Sequence, residues 1–136
     1  MIFLASMRVR GAFNHGEIAV LHKDYGIFLC SSRWDSHGVF RDEAMASGLV
    51  PVTNAVSAIP EFVDDSCGIL APVEDAEAMA RGVARLYEQP LTFSAMSQAA
   101  AKRVRKQRDA QKVIRAELAV VSNNSEQITC EQEDVA

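Results

Sequence analysis

Long apolar segments and paired cysteines are both missing from this sequence of 136 residues. The apolar run at residues 1–6 has no basic residue before it and is too short for a signal peptide or a membrane span. The three cysteines, Cys30, Cys67 and Cys130, are scattered and form no C-x-x-C pair, so neither a disulfide framework nor a zinc site is indicated. We therefore expect a cytoplasmic protein.

Metal-binding patterns and an excess of basic charge are lacking as well. No D-x-D motif occurs, and His15 and His22 have no third ligand at metal spacing, so we expect no metal and no other cofactor. Four acidic residues lie within residues 122–136, which leaves 14 basic and 14 acidic groups in residues 1–121. This balance predicts no general attraction to nucleic acid.

What is present is the composition of a globular domain, with 49% hydrophobic and 24% charged residues. Short apolar runs at residues 26–30, 49–53 and 67–71 are typical of buried strands in a parallel sheet. Between the first two runs lie a polar loop at 31–38 and a helical pattern at 39–47 that stops at a glycine. Strand, helix and strand in this order predict a right-handed βαβ unit and a parallel sheet.

The remaining pattern is mostly helical. We expect a helix before the first strand, a helix that begins at Asp75 and ends at Glu88, and one or two helices within residues 91–121. Residues 122–136 are predicted to be a flexible acidic tail after a domain that spans residues 1–121. Pro51 cannot donate a ladder hydrogen bond, so we expect an edge-like or irregular segment in the second strand.

The polar loop at residues 31–38 is the first candidate site. It leaves the predicted sheet at the carboxyl end of a strand, where open parallel sheets bind ligands. Gly38 allows close approach to the backbone, and the following helix begins with N–H groups that favour an anion such as a phosphate. Asp35 and Glu43 flank this helix start, and their carboxylates are suited to accept hydrogen bonds from sugar hydroxyls. Trp34 is expected to pack the loop onto the domain.

These residues resemble the donor-binding segment of glycosyltransferase family 4. Residues 32–39 are similar to the family pattern S-R-x-E-x-F-G, and residues 43–52 to E-A-M-A-x-G-x-P-V-V. The pair Asp35 and Glu43 matches the family's E-x(7)-E spacing, with Asp35 in the place of the commoner Glu. Residues 58–63 and 68–72 are similar to G-x-P-E-x-V and G-x-L-V-x-P, and the resemblance covers about residues 14–120.

The resemblance implies a Rossmann-like domain with a parallel sheet flanked by helices, the C-terminal half of a GT-B fold, incomplete on its N-terminal side. It implies a retaining glycosyltransferase that transfers a hexosyl group from a nucleotide-diphosphate sugar to a sugar or lipid-linked acceptor, as in polysaccharide biosynthesis. Glu43 would bind the ribose, Asp35 would be the catalytic residue at the donor sugar, and Glu61 would lie near the cleft. The donor loop would be completed by Ser36, His37, Gly38 and Val39.

Several alternatives stay open at this point. The resemblance implies a partner N-terminal domain and upstream basic residues that this sequence does not contain, which leaves a catalytically inactive nucleotide-binding or interaction fragment as the main alternative. A sugar-nucleotide epimerase or a phosphorylase half is a weaker one. For the basic run at residues 102–108, a solvated helix is the preferred interpretation, and a peripheral contact with the inner face of the membrane is the alternative.

Overall fold

In its described residues, the protein has a three-stranded parallel sheet with helices packed against it. The structure, a computed structural model, describes residues 9, 11–34 and 38–133, with residues 123–133 described by their backbone alone. The strands are β1 (Ile27–Cys30), β2 (Val50–Asn54) and β3 (Ile69–Ala71), in the order β1-β2-β3. The parallel α/β architecture expected from the sequence is therefore confirmed.

Six α-helices accompany the sheet in the described part of the chain. A 3-10 turn at His22–Asp24 links the first helix to β1. The helix expected from Asp75 to Glu88 is present, with the Asp75 carboxylate accepting from the N–H of Ala78 at 2.7 Å. The helices are α1 (His15–Leu21), α2 (Val39–Ala46), α3 (Ile59–Phe62), α4 (Ala76–Glu88), α5 (Pro90–Gln107) and α6 (Ala110–Glu133).

Strand β2 is the centre of the sheet, and each of its five residues is buried. Strand β1 was expected to be buried on both faces, but it lies at the sheet edge and Leu29 is 60% exposed. The expectation fails because no described element covers that side of β1. A continuous apolar run in the sequence therefore does not show whether a strand lies at the centre or at the edge of a sheet.

Pro51 lies within this central strand, opposite Phe28 of β1. The N–H of Val50 donates to the carbonyl of Gly26, so the nitrogen of the next residue faces the β3 side. Pairing with β3 begins only at Val52, opposite Ile69. The missing donor thus falls where β2 has no β3 partner. The strand is edge-like at Pro51 on that side, as expected, and regularly paired with β1 on the other.

Two buried clusters hold the helices against the sheet. One joins α2, α3 and α5 through side chains that include Met45, Ile59 and Ala100. The other joins β2 to α4 and α5 through side chains that include Val52, Met79 and Met96. Because both clusters contain side chains of α5, this helix fixes α2 and α4 relative to the central strand.

The two C-terminal helices also carry the basic run and the predicted tail. In α5, Arg103 pairs with Asp64, Arg105 donates to the carbonyl of Ala46 at 3.3 Å, and the residue after the helix, Arg108, reaches another helix. Three of the five basic side chains in the run therefore contact the domain itself. The backbone of residues 122–133 is helical as the end of α6, and the flexibility of the tail stays a prediction.

No described helix is both long enough and apolar enough to cross a membrane.

A half-exposed ion pair fastens the loop before β3 to α5. The hydroxyl of Ser66 donates to the Asp64 carboxylate at 2.5 Å, and the Arg103 guanidinium donates to the other carboxylate oxygen. The Ser66 hydrogen bond first, and the Arg103 hydrogen bond next, hold the pKa of Asp64 well below its usual range. A carboxyl with a lowered pKa in the folded state stabilises the protein above its unfolded-state pKa and loses that contribution as the pH falls.

We therefore predict that Asp64→Asn lowers the free energy of unfolding at neutral pH. The difference from the wild type should narrow from about pH 5 downward, because the unfolded wild type then takes up a proton that the folded state does not. Urea unfolding at pH 7 and at pH 3 measures both values. Asp65→Asn, at an exposed neighbouring acid, is the matched control, and a difference for Asp64→Asn that does not vary with pH would contradict the assignment.

Candidate functional site

The carboxyl ends of β1 and β2 open into a cavity of about 390 Å³. Its wall includes Cys30 at the end of β1 and Thr53 near the end of β2, together with Gly38 and Val39 at the start of α2. Trp34 also lines the cavity and is 77% exposed, so the packing role expected for its ring is wrong. The cavity lies at the sheet edge where parallel α/β domains bind ligands.

The start of α2 is open at its N-cap. Gly38 occupies that position with φ 66° and ψ 39°, in the left-handed region, and as a glycine it has no side chain of its own to cap the helix. By contrast, α4 also begins at the carboxyl edge, but the Asp75 carboxylate already accepts from its first turn. An anion is therefore better accommodated at α2, where the positive end of the helix dipole meets the cavity and the N-cap residue itself carries no carboxylate.

A buried ionic cluster lies directly below this helix start. Arg41 is 3% exposed, and its guanidinium donates to the Asp42 carboxylate from Nη2 at 2.7 Å and from Nε at 3.1 Å. Nε of Arg108 donates to the other carboxylate oxygen at 2.9 Å. The guanidinium carbons of the two arginines lie 4.8 Å and 4.9 Å from the centroid of the Phe62 ring, at cation–π distance.

This cluster joins three parts of the chain, namely α2, the end of α3 and the residue that follows α5. Its tight packing reaches the N-cap, because a Cβ at Gly38 would lie 2.6 Å from the Arg41 guanidinium carbon. Only a glycine fits at position 38, because other residues rarely adopt this positive φ and because a Cβ would clash with the guanidinium. The sequence suggested none of these ionic partners, since Arg108 is 66 residues away from Asp42.

Glu43 lies one residue beyond the cluster and faces a different neighbour. Its Oε1 is 3.3 Å from Nδ1 of His15 at the start of α1, and its side chain is 33% exposed. It lines a groove of about 250 Å³ between α1 and α2 and does not line the cavity at Gly38. The structure thus places Glu43 on the α1 side of the helix.

The other predicted site residues divide into two groups. Gly38 and Val39 lie on the cavity wall, and Glu61 is exposed on α3, two residues after Ile59, which lines the same cavity. Asp35, Ser36 and His37 lie outside the described residues. Arg33 is 81% exposed, and its Nε lies 3.0 Å from a carboxylate oxygen of Glu74 beyond β3.

Within the described residues, no three histidine, cysteine or acidic side chains stand close enough together to hold a metal ion.

Parallel strands whose carboxyl ends meet an open helix start are typical of Rossmann-like nucleotide-binding domains. The chain belongs to the glycosyl transferases group 1 family, whose model matches residues 4–106. This confirms the family resemblance found in the sequence.

A solved structure shows the same fold. The sucrose-phosphate synthase from Thermosynechococcus elongatus aligns with a TM-score of 0.69 and 22% sequence identity over 82% of this chain. The match identifies the architecture as that of a GT-B glycosyltransferase. The chain covers 30% of the length of that protein. No curated protein sequence matches the chain significantly.

The stability of α2 should depend on Asp42, because this carboxylate separates two guanidinium groups. We predict that Asp42→Ala lowers the free energy of unfolding by about 3–5 kcal/mol, the usual cost of leaving a buried charge without its partner. Chemical denaturation of the variant and the wild type measures the loss. Asp24→Ala, at an exposed acid, should change stability by less than about 0.5 kcal/mol. Equal effects of the two substitutions would mean that the cluster does not stabilise the fold.

Proposed function

We propose that this chain is the donor-binding part of a retaining glycosyltransferase, which binds a nucleotide-diphosphate sugar for hexosyl transfer to a sugar or lipid-linked acceptor. Family membership and the GT-B fold support glycosyl transfer. The observation that carries the donor assignment is the start of α2, where a glycine N-cap opens on the cavity at the carboxyl ends of β1 and β2. A diphosphate is the donor group that such a helix start suits best.

In this proposal, the first turn of α2 binds the donor diphosphate. Backbone N–H groups at the start of a helix have no acceptor within the helix, so they can donate to phosphate oxygens. The glycine at position 38 allows the left-handed backbone conformation from which α2 begins. When the bond between the sugar and the diphosphate breaks, the electron pair stays on a phosphate oxygen, and the helix start stabilises the charge that develops there.

The two acidic positions have separate roles. Glu43 binds the ribose hydroxyls, so the nucleoside end of the donor would lie in the groove beside α1 that Glu43 lines. Asp35 lies at the donor sugar, where a carboxylate favours the positive charge that develops on the anomeric carbon. Ser36 and His37 complete the loop between the sugar and the diphosphate. Glu61 lies toward the cleft, where the acceptor and the opposing domain would approach.

Three further parts of the proposal come from the sequence pattern and from the family resemblance. The donor base and its diphosphate enter without a metal or other cofactor, the opposing N-terminal domain binds the acceptor, and the protein acts in the cytoplasm. The run at residues 102–108 would supply a peripheral membrane contact only through Lys102 and Lys106, which are exposed. Arg103, Arg105 and Arg108 would contribute less to membrane binding, because their side chains already interact with the domain.

Calorimetric titration of the chain with uridine diphosphate and guanosine diphosphate tests the donor assignment. We predict that one of them binds and that Glu43→Ala weakens its affinity by about tenfold, the loss of about 1.4 kcal/mol that is typical of a charge-assisted hydrogen bond. Glu88→Ala, at an exposed acid at the end of α4, is the matched control and should leave the affinity unchanged.

Two results would change the proposal. If Glu43→Ala bound the nucleotide as tightly as the wild type, Glu43 would not hold the ribose. If the wild-type chain bound neither nucleotide, the non-catalytic interaction fragment would become the preferred interpretation.

A further inference from the structure

A second, smaller cavity opens at the same edge of the sheet, beside the start of α4. Its volume is about 240 Å³, and its wall includes Ser31 and Arg33 after β1, Asn54 at the end of β2, and Glu74 after β3. This volume is below the roughly 300 Å³ at which cavities for drug-sized ligands begin. The second cavity therefore suits a single small ring better than a whole nucleotide.

The segment that follows β1 separates the two cavities. Cys30 and Ser32 line the first cavity, whereas Ser31 and Arg33 line the second. This alternation is what an extended backbone produces, because successive side chains point to opposite sides. Ligands in the two cavities would therefore be neighbours on either side of one stretch of backbone.

Asn54 gives the second cavity a buried hydrogen-bond acceptor. The side chain is 3% exposed, and its Nδ2 donates to the carbonyl of Pro72 at 2.8 Å. Among the described residues, no donor meets its carboxamide oxygen. An acceptor that is buried without a donor costs free energy, and a hydroxyl group of a ligand would supply the missing hydrogen bond.

Glu74 and Arg33 add a donor and an acceptor at the rim. The Nε of Arg33 lies 3.0 Å from a carboxylate oxygen of Glu74, and both side chains are exposed. Ion pairs at such exposed positions add little stability, so both groups can turn toward a ligand at little cost. Glu74 also has φ 63°, a conformation that is strained for a residue other than glycine.

The surroundings favour a neutral ligand over an anion. The carboxylates of Asp75 and Glu74 both line the cavity, against the one guanidinium of Arg33, and Asp75 already accepts from the first turn of α4 at 2.7 Å. Met79 contributes an apolar surface and is 6% exposed. A ring that has hydroxyl groups at its edge and C–H groups on its face matches this set of acceptors, donor and apolar surface.

We infer that this second cavity binds a neutral pyranose ring, with hydroxyl groups that donate to the Asn54 oxygen and the Glu74 carboxylate. The identity of this ring as a unit of the sugar acceptor rests on the proposed function, in which the donor occupies the first cavity. The two ligands would then lie on opposite sides of residues 31–33. The sugar site itself does not depend on nucleotide binding.

The test is a titration of the isotope-labelled chain with the methyl α-pyranosides of glucose, mannose and galactose, followed by amide NMR shifts. We predict that at least one glycoside binds and that the largest shifts occur at the side-chain amide of Asn54 and the backbone amide of Ala76. A second titration with saturating uridine or guanosine diphosphate should leave the glycoside affinity within about threefold, because the cavities are separate.

Two substitutions remove the proposed contacts. Asn54→Ala should weaken the glycoside affinity by about fivefold, as expected for one neutral hydrogen bond. Glu74→Gly should weaken it by about tenfold, because a charge-assisted hydrogen bond is lost. Glycine also relieves the strain at φ 63°, so the unfolding midpoint of Glu74→Gly should not fall, and this variant keeps the test valid if Asn54→Ala does not fold.

Ser57→Gly is the matched control. Ser57 has φ 48°, lies between β2 and α3, and lines neither of the two described cavities. The substitution relieves the same kind of backbone strain without removing a proposed contact, so the glycoside affinity should not change.

Each result either supports or overturns the inference. Shifts centred on Asn54 and Ala76 that weaken in Glu74→Gly support it, and they do so even if neither nucleotide binds, in which case only the donor assignment fails. If no glycoside binds, if the shifts centre on Gly38 and Val39, or if Glu74→Gly binds as tightly as the wild type, the inference is overturned and the proposed function stands. Displacement of the glycoside by the nucleotide would also overturn it, because the cavities would not be separate.

Discussion

Both faces of strand β2 are covered, and this burial determines where the other elements can lie. A strand buried on both sides needs an apolar helix surface against each face, which α2 and α3 provide on one side and α4 on the other, with α5 contributing to both clusters. Because the strands are parallel, their carboxyl ends meet at one edge. Helices α2 and α4 both begin at that edge, so the fold itself brings two helix starts to one region of the surface.

The caps decide which of these two helix starts can receive an anion. Asp75 caps the start of α4 with its own carboxylate, whereas Gly38 has no side chain with which to cap α2. Among the described residues near the α2 start, the acid Asp42 accepts from Arg41 and Arg108 and is buried. The capping residues therefore give the starts of α2 and α4 different electrostatic surroundings, although the topology brings both to the same edge of the sheet.

The buried cluster also explains why the start of α2 has a defined shape. Asp42 and Phe62 hold the Arg41 guanidinium, and the guanidinium in turn lies against Gly38. This arrangement connects the cavity wall with α3 and with the end of α5. The geometry of the proposed donor site thus depends on residues that are distant in the chain and, apart from Arg41, do not line the cavity.

The sequence predicted the parts of this structure that depend on local patterns. Short apolar runs marked the three strands, Gly48 ended α2, and Asp75 began α4, because strand burial and helix capping depend on neighbouring residues. The buried Arg41–Asp42–Arg108 cluster could not be predicted, since a charged helical residue is usually exposed and the partner lies beyond α5. For the same reason, the exposure of Leu29 and Trp34 depended on which elements cover them in three dimensions.

The central claim is that a nucleotide diphosphate binds at the start of α2. Titration of the isotope-labelled chain with uridine or guanosine diphosphate, followed by amide NMR shifts, locates the ligand residue by residue. The account predicts that the largest shifts occur at Gly38, Val39 and Phe40, with smaller shifts at the start of α4 around Ala76. Largest shifts at the start of α4, or binding that leaves the α2 amides unchanged, would contradict it.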